Sequence, residues 1–143
     1  MLDTGTYLPK DTTSATYTKY GYLKARELIE SSASGWKGPY TEFTRSGSNT
    51  YELNHPSYHK VRIFRNQDIN WIYPNDSANT CLSGSISCSV YVCISGVPEK
   101  INKALDIKID GTEGANTGNF KYDSTYGCKK GMVYDKSLSP ANL

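Results

Sequence analysis

The stretch from Tyr17 to Tyr40 constrains the fold more than any other part of the chain. At about 100° per residue, Gly21, Tyr22, Ala25, Leu28, Ile29 and Ser32 fall on one side. Lys19, Arg26, Glu27 and Glu30 fall on the other. That spacing predicts one amphipathic helix from Tyr17 to about Ala33, followed by the turn Ser34-Gly35-Trp36-Lys37-Gly38-Pro39-Tyr40. Gly35 and Pro39 supply the break. Leu23 is the exception, an apolar side chain on the charged back. It reads either as a lone exposed leucine, which is common, or as a contact with another copy of the helix in an assembly. The rest of the chain is expected to be a sheet that covers the apolar stripe.

A chain of 143 residues holds one domain with a single core. Only 37% of it is apolar and its mean hydropathy is −0.57, so that core is expected to be thin under a polar surface. Sixteen basic and fourteen acidic residues leave a net charge of +2. This is too little to make nucleic acid or an anionic membrane an obligatory partner. No run approaches the roughly 20 apolar residues of a membrane helix.

Cys81, Cys88, Cys93 and Cys128 are even in number and contain no CxxC pair, which fits two disulfides better than a zinc site. Disulfides imply an oxidising compartment. Yet Met1-Leu2-Asp3-Thr4 has neither the basic nor the apolar part of a signal peptide. The conflict resolves if an N-terminal segment has been removed. Three cysteine pairings are possible. Parity favours Cys81 with Cys88 across a Gly84 turn, leaving Cys93 for Cys128.

Residues 1–16 read as an extension, with Asp11-Thr12-Thr13-Ser14 placed to cap the helix of 17–34. Period-two patterning marks Thr50–Leu53, His59–Arg65 and Ile69–Tyr73 as strands, Val61 and Ile63 facing a core and the other face wet. In the next strand Ile86, Cys88, Val90, Val92 and Ile94 share the expected core face. Ser87, Ser89, Tyr91 and Cys93 share the outer one. Pro98 opens a second helix with Ile101, Leu105 and Ile109 on its apolar face and Asp110-Gly111 as its stop. Phe120–Tyr122 pairs briefly with the sheet. From Asp123 to Leu143 the chain reads as an irregular wrap held by Cys128, with a loose tail.

Catalytic signals are few, and the chain does not read as an enzyme. His55 and His59 are separated by Pro56, which suits a loop rather than a metal pair on a helix. There is no GxSxG elbow and no phosphate-cradling GxxxxGK[ST]. Asp106, Asp110, Glu113, Asn116 and Asn119 form an oxygen-rich cluster without the spacing of an EF-hand. Helix capping and Asx turns account for it; Ca2+ held by Asp106, Asp110 and Asn116 is the alternative. Twelve tyrosines, with Trp36 and Trp71, exceed what a polar domain needs and suit subunit packing or glycan and surface binding.

The amphipathic stretch followed by Gly35-Trp36-Lys37-Gly38-Pro39-Tyr40 resembles the type IV pilin and pseudopilin superfamily. There, a G-W-x-G-P-Y turn follows the long N-terminal helix. Gly96-Val97-Pro98, then Ala104 through Gly111, then Asn116-Thr117-Gly118-Asn119-Phe120-Lys121 are similar to the same family's "P…a..lD.kiDdG…tG.vr" segment. The likeness spans roughly residues 17–122. The family's basic leader, cleaved Gly, N-terminal Phe, early Glu and apolar helix half are not in this chain, and are expected to have preceded it. The resemblance implies an α+β domain, an αβ-roll with the N-terminal helix packed on an antiparallel sheet. It also implies a variable αβ loop from Gly35 to about Pro56 and a C-terminal region bounded by Cys93–Cys128. Calcium loops of pseudopilins add some weight to the acidic cluster.

The function implied is a structural subunit, major or minor, of a bacterial type IV pilus displayed outside the cell. Its partners would be copies of itself, other pilins, the prepilin peptidase and assembly machinery, and the inner membrane through the missing helix. In that setting Tyr22, Leu28 and Ile29 pack inward, Leu23 contacts a neighbour, and Trp36, Pro39 and Tyr40 shape the turn. A pseudopilin of a type II secretion system and a secreted adhesin module are the alternatives.

Overall fold

In a computed structural model of the chain, which describes residues 8–14, 21–67 and 88–133, two eight-residue strands form the centre of an antiparallel sheet. Strand β3 (Lys60–Gln67) and strand β4 (Cys88–Ser95) alternate β-branched and aromatic residues with polar ones, a pattern that suits a pleated surface. They pair from Val61↔Ile94 to Gln67↔Cys88. The short strands β1 (Thr44–Arg45) and β2 (Glu52–Asn54) extend one side. Strands β5 (Phe120–Tyr122) and β6 (Tyr126–Val133) extend the other, giving the order β1-β2-β3-β4-β6-β5. Helix α1 (Glu99–Asp110) links β4 to β5 and packs on β5.

Register assigns the two faces. Leu23, Ala25, Leu53, Val61 and Ile63 cluster on one, with Val90 and Ile94 beside them. Tyr22, Phe64, Tyr91, Cys93 and Cys128 cluster on the other, where the Phe64 and Tyr91 rings stack at 5.7 Å. Both faces are therefore core, and neither is simply wet. The β4 face predicted to lie outside, with Ser89, Tyr91 and Cys93, is the more deeply buried one, while Val92 is 38% exposed. A ring buries more apolar area than a valine, and Tyr91 has Phe64 as its cross-strand partner.

The predicted αβ-roll is corrected: among the described residues no amphipathic helix packs on the sheet from its N-terminal side. Gly21–Leu23 is extended, with Tyr22 bridging Phe64 and Leu23 bridging Lys10. The Leu23 amide donates to Ile63 O at 2.9 Å, and the Arg65 amide donates to Gly21 O at 3.1 Å. Ala25–Leu28 then makes a single 3-10 turn. Among the described residues α1 is the one α-helix, and it follows β4. Gly21 and Tyr22 favour extended chain over helix, and Gly21 takes φ 71°. Tyr22 and Leu23 go to opposite faces of the sheet. On a helical wheel the same alternation reads as a stripe with one exception. Residues 17–20 of the predicted helix, the strand Ile69–Tyr73, the Gly84 turn with Cys81, and the tail beyond residue 133 lie outside the described residues.

The irregular wrap expected from Asp123 is in part strand β6, lying between β4 and β5. Helix α1 has the predicted ends: Pro98 O accepts from the Ile101 and Asn102 amides, and Gly111 closes it at φ 82°. Its buried residues, however, are Asn102 and Asp106, while Leu105 and Ile107 are 37% and 50% exposed. Polar anchoring decides this orientation. Asp106 accepts the Gly114 amide at 2.6 Å, and Asn102 fits against Gly127, where a Cβ would collide with it. No helix among the described residues is long and apolar enough to cross a membrane.

Candidate functional site

The segment after the 3-10 turn folds back on it. The Trp36 indole N–H donates to Glu27 O at 2.8 Å, and the Tyr40 amide donates to Leu28 O at 2.7 Å. The two rings meet edge to face at 5.8 Å, across a cis Gly38–Pro39 peptide. Gly38 lies under the indole, where a Cβ would run into the ring. Trp36, Pro39, Tyr40 and Leu28 are thus brought together as one unit, with Tyr40 40% exposed. Ile29 and Leu28 are half-buried against the Leu53 cluster; Tyr22 is buried on the opposite face.

Beside this unit is an open cleft of about 430 Å³ lined by Lys24, Arg26, Glu27, Glu30, Ser31, Ser32 and Thr50. Arg26 is fixed there: Nη2 donates to Gly47 O at 2.9 Å and to Asn49 O at 2.7 Å, and Nε lies 3.6 Å from Glu30. Glu30 also pairs with Arg45.

A second polar centre was not legible as a site in the sequence. Arg62 is ringed by Tyr22, Tyr51 and Tyr126 at 5.9, 5.5 and 5.8 Å. Its Nε donates to Glu52 Oε2 at 2.9 Å and its Nη1 to Tyr126 OH at 3.2 Å. Glu52 is 4% exposed and also accepts from Ser46 Oγ at 2.8 Å and Asn49 Nδ2 at 2.9 Å. Glu52 and Arg62 are cross-strand partners, and opposite charge at that register is the one signal that could have found them. Burial alone would push the Glu52 carboxyl up. The hydrogen bonds from Ser46 and Asn49 and the charge of Arg62 outweigh it and hold the group below the usual carboxylate range.

A carboxyl lowered by folding stabilises the fold above its unfolded pKa, and that contribution is lost as pH falls through the folded value. Acid titration of the melting temperature should therefore show a loss below about pH 4.5 that Glu52→Gln flattens. Arg62→Met should cost about 3 kcal/mol in urea unfolding, because Glu52 stays buried with Lys60 at 4.0 Å as its remaining charged partner among the described residues. A double mutant Glu52→Gln/Arg62→Met no less stable than wild type would show that the single loss comes from the stranded charge. An additive double mutant would sink that account.

The acidic cluster is used by the chain itself. Asp110 Oδ1 accepts the Asn119 amide at 2.9 Å and Oδ2 the Phe120 amide at 2.8 Å, which holds its carboxyl below the usual range. Gly118, at φ 76°, leaves room for that carboxylate. Asn116 is exposed. Among the described residues no group of three or more His, Cys, Asp or Glu side chains is placed to hold a metal ion. His55 Nδ1 accepts the Ser57 and Tyr58 amides and so shapes the β2–β3 loop. Cys93 and Cys128 form a disulfide across β4 and β6; Cys88 is also disulfide-bonded, and Cys81 lies outside the described residues. Comparison with protein-family profiles, curated proteins and solved structures gives no match.

Proposed function

We propose that this chain is the outer domain of a structural subunit of a type IV pilus, acting by assembly and display rather than by catalysis. The observation that carries the reading is how residues of the pilin-like "DIKIDG…TGNF" segment meet. Asp110 takes the two amides of Asn119 and Phe120, Gly118 makes space for it, and Gly111 ends α1. Residues spaced along the motif thus form one closed loop, as expected of a segment kept for structure. The Trp36–Tyr40 turn supports the same reading, since its aromatic pair and its hydrogen bonds to Glu27 and Leu28 close a compact knot. A disulfide inside the sheet suits a domain exposed outside the cell. Copies of the same subunit, with other pilins, would be its partners.

The test is immunogold electron microscopy on the source cells with an antibody raised against the 143-residue chain. Gold is expected along surface filaments, and deletion of the gene should remove the labelled filaments. Label confined to the cell body or to the medium, with filaments bare, overturns the proposal.

A further inference from the structure

We infer that Asp110-Gly111 is a latent modification site, at which local opening of residues 118–120 commits Asp110 to conversion into isoaspartate. The chain has a single Asp-Gly step and no Asn-Gly step. Asp before Gly is where this chemistry runs fastest, because glycine puts no side chain in the way of its own amide nitrogen. The Gly111 nitrogen attacks Asp110 Cγ and a C–N bond forms. The nitrogen's proton and the carboxyl hydroxyl leave together as water, giving a cyclic succinimide. Solvent water then opens the ring at the former main-chain carbonyl, so the backbone runs through the side chain and carries one extra methylene. One water leaves and one returns, and no other reactant is needed.

The folded chain keeps the two reacting groups apart. The Gly111 amide donates to Ile107 O at 2.9 Å as it closes α1, so its hydrogen is directed back into the helix. Asp110 Oδ1 accepts the Asn119 amide at 2.9 Å and Oδ2 the Phe120 amide at 2.8 Å, which clasps the carboxylate to the loop. Those bonds, the Asn119 amide first, hold the carboxyl below the usual range and so in its ionised form. A carboxylate is a poor target here, since the step expels hydroxyl from the neutral acid. Gly118 makes the clasp possible: it sits at φ 76°, and a Cβ there would run into the Asp110 carboxylate. The Asn119 carbonyl accepts the Lys130 amide at 2.6 Å, which ties the clasp to β6. Protection is therefore conformational, and it is lost when residues 118–120 lift away without global unfolding. The product cannot rebuild the clasp, because its free carboxyl is attached directly to Cα, one carbon short of the two amides.

The experiment incubates the full chain for several weeks at neutral pH, in native buffer and in denaturing guanidinium chloride, and locates isoaspartate by methyltransferase labelling with peptide mapping. In denaturant, residue 110 should be the fastest-converting aspartate of the chain. In native buffer its rate should be lower by about tenfold or more. Gly118→Val crowds the carboxylate out of the clasp, and should raise the native rate about fivefold or more while a cooperative melting transition remains. If that variant loses its transition, the wild-type chain decides alone. Its conversion rate should then rise in step with hydrogen exchange of the Phe120 amide as denaturant is added below the unfolding midpoint. A native rate close to the denatured one, a folded Gly118→Val that converts no faster than wild type, conversion independent of Phe120 exchange, or faster conversion of another aspartate in denaturant would each overturn the inference.

Discussion

Leu23→Glu is expected to leave the purified chain without a cooperative melting transition and without the near-ultraviolet dichroism of its packed tyrosines. Leu23 is 1% exposed and sits among Ala25, Leu53, Val61 and Ile63, with its amide bonded to Ile63 O. Truncating such a leucine to alanine costs about 2–5 kcal/mol. A carboxylate in the same place adds the cost of taking a charge out of water into an apolar cluster. Together these approach the whole stability of a typical domain, about 5–15 kcal/mol. Leu23→Ala, measured by urea unfolding, should retain the fold at a loss of about 3 kcal/mol. At half-buried Leu28, Leu28→Asp should cost less than Leu23→Glu. If Leu23 instead lay on the outer face of a helix, Leu23→Glu would stay within about 0.5 kcal/mol of wild type. That result would show that 21–25 is not docked against β3.

The same residue explains which part of the fold was legible. Strands β3 and β4 could be read because Val61, Ile63, Val90, Val92 and Ile94 repeat at period two over a length no helix turn imitates. Helix α1 could be bounded because Pro98 and Gly111 act locally on the backbone. The Tyr17–Ala33 stretch has residues whose spacing fits a helix stripe, yet Tyr22 and Leu23 each bury on a different face of one sheet. Periodicity counts apolar positions; it does not register that two sheet faces are both occupied. The orientation of α1 was hidden for a related reason. Ile101, Leu105 and Ile109 make the better apolar stripe, but Asn102 and Asp106 are held by Val97 and Gly114 just outside the helix and by the bare backbone of Gly127 on β6, contacts that a helical wheel does not include. Strand β6 was missed because Gly127, Gly131 and two lysines dilute its pattern. Its pairing to β4 supplies what its side chains do not announce. At the sites, the turn from Trp36 to Tyr40 was visible as a motif, whereas the Arg62–Glu52 centre required the β2–β3 register.

Replacing both Cys93 and Cys128 by alanine should lower stability by about 4 kcal/mol. The bond spans 35 residues, and the chain-entropy account of a loop that long gives this magnitude. For a domain of this size the melting temperature should fall by roughly 10–15 °C. What the cross-link secures is the β4–β6 pairing, which joins β1 to β3 on one side to α1 and β5 on the other. Cys93 and Cys128 are direct register partners and are 1% and 0% exposed, packed with Tyr22, Phe64 and Tyr91. A thiol reductant therefore reaches the sulfurs only when the sheet opens. In native buffer the bond should resist dithiothreitol, and its reduction rate should climb with urea in parallel with unfolding. The alanine pair is the better variant, because a single serine would strand a reactive thiol beside a buried hydroxyl. A double mutant within 1 kcal/mol of wild type would place the stability of β6 in its backbone ladder alone. Rapid reduction in native buffer would instead mean that β6 separates from β4 well below global unfolding, and the two halves of the sheet would then be distinct cooperative units.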